Sequence, residues 1–138
     1  MTKRRRFHRF PFDAKAVLHV GSRGSGLRGS VPCELLDLSL NGAMVRVPES
    51  LEEDRLQEKN LVGLAVRGAI RGDEVTMTMH ITPAHVAGSN VGLRFTRVDI
   101  DSFDALKTLI EDNLGNPDLL DRELTQLDYW PGEVAEEN

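Results

Sequence analysis

The period of the apolar positions divides this chain into two parts. From Phe12 to Val98, short runs rich in Val, Ile, Leu, Met and Thr alternate with polar breaks. Their spacing predicts six strands, Phe12–Val20, Val31–Leu36, Ala43–Val47, Leu61–Ile70, Glu74–Thr82 and Val91–Val98. Gly21 to Gly29 holds four glycines and two serines and reads as a flexible hairpin loop. Arg71-Gly72-Asp73 and Gly88-Ser89-Asn90 supply turn chemistry between the later strands. Six strands joined mostly by short turns imply an antiparallel barrel or sandwich.

After Val98 the period lengthens to about 3.6 residues, the helical value. Phe103, Leu106, Leu109, Ile110 and Leu114 fall on one face, Asp101 or Ser102 is placed to cap the start, and Gly115 to end the helix. Asn116 then offers a second cap, Pro117 suits a first helical position, and Leu119, Leu120, Leu124 and Leu127 make another stripe. One stripe is expected to cover the barrel, the other to pack on the first helix or on a partner. The stretch from Pro48 to Asn60 is acidic, with Leu51 and Leu56 as anchors for one helical turn. These patterns divide the chain into a flexible basic arm (1–10), a single barrel domain with its helices (11–128), and a disordered tail rich in Pro, Gly and acids (129–138).

At 138 residues and 40% hydrophobic content, the chain suits one domain with a real core. Its charge is uneven. Residues 1–9 contain Lys3, Arg4, Arg5, Arg6 and Arg9 and no acid, so they carry +5, and a net charge of −5 leaves −10 on the other 129 residues. A basic arm on an acidic body either stays mobile or attaches to specific acids. That balance favours a defined anionic ligand over general DNA binding, which calls for a basic domain.

Cys33 is the single cysteine, so no internal disulfide forms and one thiol builds no zinc site; it reads as a small apolar residue. Pro11, Asp13 and Lys15 interrupt the N-terminal stretch before it reaches signal-peptide character, and no apolar run approaches a membrane span. A soluble cytoplasmic monomer with no membrane partner is expected.

Enzyme readings find little support. There is no Gly-x-Ser-x-Gly elbow, no phosphate loop ending in Gly-Lys-Ser or Gly-Lys-Thr, and no cysteine pair. Gly24-x-Gly26-x-x-Gly29 matches a dinucleotide fingerprint literally, yet that motif needs a helix directly after it, and Ser30-Val31-Pro32-Cys33 reads as extended. His80 and His85 are better taken as surface or edge residues than as metal ligands. No catalytic step, cofactor or metal is expected.

Two short stretches carry the chemistry. Asp37-Leu38-Ser39-Leu40-Asn41-Gly42 joins the second and third strands and concentrates a carboxylate, a hydroxyl, an amide and a glycine. A carboxylate accepts both N–H groups from one edge of guanine, and glycine lets a ligand approach the main chain. Taken alone, these residues read as a hairpin turn. Arg4-Arg5-Arg6-Phe7-His8-Arg9 adds four guanidiniums, whose forks match phosphate oxygens and whose flat faces stack on bases. Together Arg5-x-x-x-Arg9 and Asp37-x-Ser39-x-x-Gly42 resemble the two-part signature of the PilZ domain, the bacterial receptor module for cyclic di-GMP. Val91-Gly92-Leu93-Arg94-Phe95 resembles the family's late barrel strand, and the opening Arg4 to Phe10 with the two-helix end resembles its small single-domain members.

The resemblance implies a mainly β fold, a six-stranded antiparallel PilZ-type barrel followed by one or two helices. It implies that Arg5 and Arg9 grip phosphates and guanines, with Arg4 adding a contact, while Asp37, Ser39 and Gly42 form a floor that reads guanine edges. Arg6, Asn41 and His85 are further candidates, His85 standing where some relatives carry a stacking aromatic. It also implies a receptor for cyclic di-GMP with no effector domain of its own, in which ordering of the arm controls an unidentified downstream protein. Two alternatives remain open: a barrel that binds single-stranded nucleic acid, and a PilZ-fold adaptor that binds no ligand. The first needs stacking aromatics, and with aromatics at 5% the strands offer little beyond Phe12 and Phe95, so no nucleic-acid partner is expected.

Overall fold

The computed structural model describes residues 7–21, 28–48 and 60–132. Six strands are present: β1 (Ala14–Gly21), β2 (Arg28–Leu38), β3 (Gly42–Arg46), β4 (Asn60–Ile70), β5 (Asp73–Ala87) and β6 (Asn90–Val98). They close into an antiparallel barrel in the order β1-β2-β3-β6-β5-β4. Period two puts one face of each strand inside. In β5, Met77, Met79 and Ile81 are buried while Thr76, Thr78 and His80 are exposed. Leu18, Val45, Leu64, Val66 and Phe95 fill the same interior.

The strands match the sequence expectation except at their ends. β2 begins at Arg28 rather than Val31, and β5 runs to Ala87 instead of stopping at Thr82. Pro83 signals an end to β5 because it has no N–H to donate. The strand continues because its register against β6 shifts twice, between His80 and Ile81 and between Pro83 and His85.

Helix α1 (Ile100–Leu114) lies on β5 and β4, burying Phe103, Leu106, Leu109 and Ile110. Its cap is Asp99 and not the expected Asp101 or Ser102: the Asp99 carboxylate accepts from the Ser102 N–H at 3.1 Å, and Gly115 closes the helix at φ 67°. Ser102 is buried and its hydroxyl accepts from the Thr78 N–H at 2.9 Å, tying α1 to β5. Helix α2 (Pro117–Leu124) starts at its Asn116 cap and packs on α1, with Leu120 buried. No helix among the described residues is long and apolar enough to cross a membrane.

Both ends of the described chain are held more firmly than their composition suggests. Phe7 is buried, and Phe10 exchanges two backbone hydrogen bonds with Leu38, each 2.9 Å, so the last four arm residues are docked rather than loose. Tyr129, read as the start of a disordered tail, is 8% exposed, with Phe95 and Phe103 meeting its ring edge-on at 6.4 and 6.2 Å. Its hydroxyl donates to the Leu40 carbonyl at 2.6 Å, and the Gly132 N–H donates to Val98 O at 2.7 Å. One buried aromatic outweighs the polar composition around it. The expected acidic helical turn, Arg4 to Arg6, and residues 133–138 lie outside the described residues.

Candidate ligand-binding site

The turn between β2 and β3 is built by Ser39. Its hydroxyl donates to Gly42 O at 3.1 Å and accepts from the N–H groups of Asn41 (3.2 Å) and Gly42 (3.1 Å). That uses the one donor and both lone pairs of a buried hydroxyl. The chemistry the sequence offers a ligand at Ser39 is therefore spent on the backbone. Gly42 is required by packing: a Cβ there would stand 2.2 Å from the Leu93 carbonyl oxygen of β6. Its φ is not positive, so close approach between strands, and not a special backbone angle, excludes a side chain. Asn41 turns away to the C-terminal segment, where its Nδ2 donates to the Asp128 carboxylate at 3.0 Å.

Strand register arranges the remaining candidates. Asp37 pairs with Met44, Met44 with Gly92, and Gly92 with His85, giving one row across β2, β3, β6 and β5. The next row sets Gly42 beside Arg94 and Arg94 beside Thr82. Gly92 leaves a dip in the first row, since a Cβ there would be 3.6 to 3.7 Å from both His85 and Met44. Above this surface lies a cavity of about 490 Å³, with Arg9, Asp37, Ser39, Asn41, Gly42, Met44, His85 and Arg94 in its lining and Phe7 at its arm side. Residues 28 to 85 positions from Arg9 in the chain thus meet it on one surface only because the barrel closes.

Among the described residues, the side chains of Arg9 and Asp37 make no hydrogen bond or ion pair, so a guanidinium and a carboxylate are both available to a ligand. Arg9 is placed by its neighbour His8, whose backbone N–H and Nδ1–H both donate to Glu123 Oε2 of α2, at 3.0 and 2.5 Å. Glu123 is 3% exposed and its Oε1 has no hydrogen-bond partner among the described residues. This contact joins the arm to α2, and sequence spacing gives no sign of it because 115 positions separate the two residues. Arg4, Arg5 and Arg6 lie outside the described residues.

Cys33 is not among the residues that line the cavity. It lies half-buried in β2 against the core, and burial pushes its thiol up to about 11, against a smaller downward pull from the Leu18 backbone. His80 is exposed on β5 and does not line the cavity, and no group of three His, Cys, Asp or Glu among the described residues is placed to hold a metal.

A family model described as PilZ domain matches residues 3–112. The chain belongs to the PilZ domain family. Solved structures similar to it include two PilZ domains. One is the PilZ domain of CeSA from a cellulose-synthesizing bacterium, 16% identical, covering 79% of this chain and 99% of that one, with a TM-score of 0.46. Another is the PilZ domain of YcgR from Escherichia coli, solved with c-di-GMP, 17% identical over 90% of this chain and 96% of that one, with a TM-score of 0.46. A third is MrkH, titled a c-di-GMP-dependent transcription regulatory factor, 16% identical over 82% of this chain and 52% of that one, with a TM-score of 0.47. The PilZ match takes in the arm, all six strands and most of α1, and ends before α2.

Proposed function

We propose that this PilZ protein is a receptor for cyclic di-GMP with no catalytic step, and that the cavity between the arm and the β2–β3 turn is its binding site. The observation that carries the reading is the meeting of Arg9 and Asp37, one from each half of the PilZ signature, on the lining of one cavity, their side chains without partners among the described residues. A guanidinium suits a phosphodiester and a carboxylate suits the N–H edge of guanine, so the pair fits a ligand with both. Ser39 and Gly42 act in this reading as the frame that presents Asp37. Arg5 and Arg4 are assigned to the ligand on the resemblance of the motif alone.

The receptor works by ordering its arm over the ligand and so changing the surface a downstream protein meets. Phe7 to Phe10 are docked before any ligand arrives, so that end of the arm is already held against the barrel. The nucleic-acid alternative has less support, since Phe95 is 1% exposed and Phe12 is half-buried against the core, leaving neither as a stacking platform. Calorimetry with cyclic di-GMP, cyclic di-AMP, GTP and a short oligonucleotide tests the assignment. Tight binding of cyclic di-GMP alone is expected; equal binding of all four would overturn it.

A further inference from the structure

We propose that Arg94 is a second ligand-gripping cation, holding a phosphate of the same dinucleotide from the barrel wall while Arg9 approaches from the arm. The inference rests on the reading of the cavity as a cyclic di-GMP site and adds a residue outside both halves of the signature.

The backbone that carries Arg94 is fixed before any ligand arrives. Arg94 sits in β6 between two buried residues, Leu93 and Phe95, and pairs in register with Gly42. The Phe95 N–H donates to the Asn41 carbonyl at 2.9 Å, so the backbone directly after Arg94 is held to the motif turn. Gly42 has no side chain to stand between that guanidinium and the turn. A preorganised cation gives up less freedom on binding than one on a loose segment.

Its lack of a partner is the second observation. Arg46, Arg67 and Arg71 on the barrel are each paired with an acid, Glu34, Glu74 and Asp112 respectively. Arg94 lines the cavity and makes no ion pair or side-chain hydrogen bond among the described residues, in a chain where acids outnumber Lys and Arg by 22 to 17. Charge balance supplies the third. A ligand with two phosphodiesters brings two negative charges beside the Asp37 carboxylate, and every other cation assigned to it comes from the arm. Arg94, across β3 from Asp37, supplies one from the barrel wall.

The test is titration of cyclic di-GMP into the full chain, with thermal melts of each variant without ligand. Arg94→Ala should weaken binding about 10- to 100-fold, the range for a lost charge-assisted hydrogen bond, and leave the melt unchanged because the side chain is exposed. Arg94→Lys should recover most of that loss, since a phosphate accepts a point charge. Arg97→Ala, exposed on the same strand but away from the cavity, should bind as the wild type does. Arg94→Ala binding like the wild type, or Arg97→Ala losing as much, would overturn the assignment while leaving the receptor reading intact. A wild-type protein that does not bind cyclic di-GMP takes both proposals down.

Discussion

The β2–β3 turn and the arm face each other across one cavity, and they treat their polar groups in opposite ways. In the turn, the Ser39 hydroxyl has all its hydrogen-bonding capacity filled, Gly42 is shut by the Leu93 carbonyl, and Asn41 is held by Asp128. On the arm side, Arg9 has no partner among the described residues, and the buried carboxylate behind His8 keeps one oxygen unbonded. A site needs both kinds of wall. Filled hydrogen bonds fix the shape of the turn before a ligand arrives, and free charges supply the contacts once it does. Motif membership therefore does not mean ligand contact: two of the three residues in Asp37-x-Ser39-x-x-Gly42 have structural reasons sufficient in themselves.

The sharpest way to break this comparison is Gly42→Ala. A methyl group 2.2 Å from a backbone carbonyl cannot be absorbed by a side-chain rotation, so β3 must move away from β6. A loss of about 3 kcal/mol in urea unfolding is expected, with binding lost alongside it. If stability held and only binding fell, Gly42 would serve the ligand and the division between the walls would be wrong. Ser39→Ala comes next. It strands the Asn41 and Gly42 N–H groups beneath a methyl, at a cost of about 1–3 kcal/mol in the same assay.

Asp37→Ala is expected to do the reverse. The half-buried carboxylate has no partner among the described residues, so its removal should leave unfolding within about 0.5 kcal/mol of wild type while weakening cyclic di-GMP about 10- to 100-fold. Affinity equal to wild type in calorimetry would make Asp37 a turn residue after all.

How far the sequence reaches follows from the range of the contacts involved. Period two in Thr76 to Ile81 and the period near four from Phe103 to Ile110 are local, and both are read directly. Pro83 misleads because a strand tolerates it only through a bulge, and bulges depend on the partner strand. Asp37 and Arg9 are legible as a resemblance, whereas Arg94 enters the cavity through the register of β3 against β6, which no spacing within one segment specifies. The ties of His8 to Glu123 and of Tyr129 to Leu40 span 115 and 89 positions. Nothing in a polar, proline- and glycine-rich end announces that its one tyrosine will be buried.

That tyrosine gives the smallest effect and a test of how completely the turn wall is closed. Tyr129→Phe keeps the ring against Phe95 and Phe103 and removes only the hydrogen bond to Leu40 O, so a loss of about 1 kcal/mol is expected. The pH dependence is more telling. Burial raises the phenol well above its ordinary range, because the phenolate is poorly solvated there. A phenol that resists ionisation only when folded contributes stability that is fully present below about pH 10, its unfolded value, and is lost as pH rises beyond it. Tyr129 is the only tyrosine in the chain, so its phenolate absorbance reports on this one contact. Wild type should lose stability above about pH 10 more steeply than Tyr129→Phe, with the absorbance change arriving only on unfolding. Equal slopes for the two proteins, or a phenolate appearing while the protein is still folded, would mean that water reaches the Leu40 carbonyl and that the turn is open on its C-terminal side.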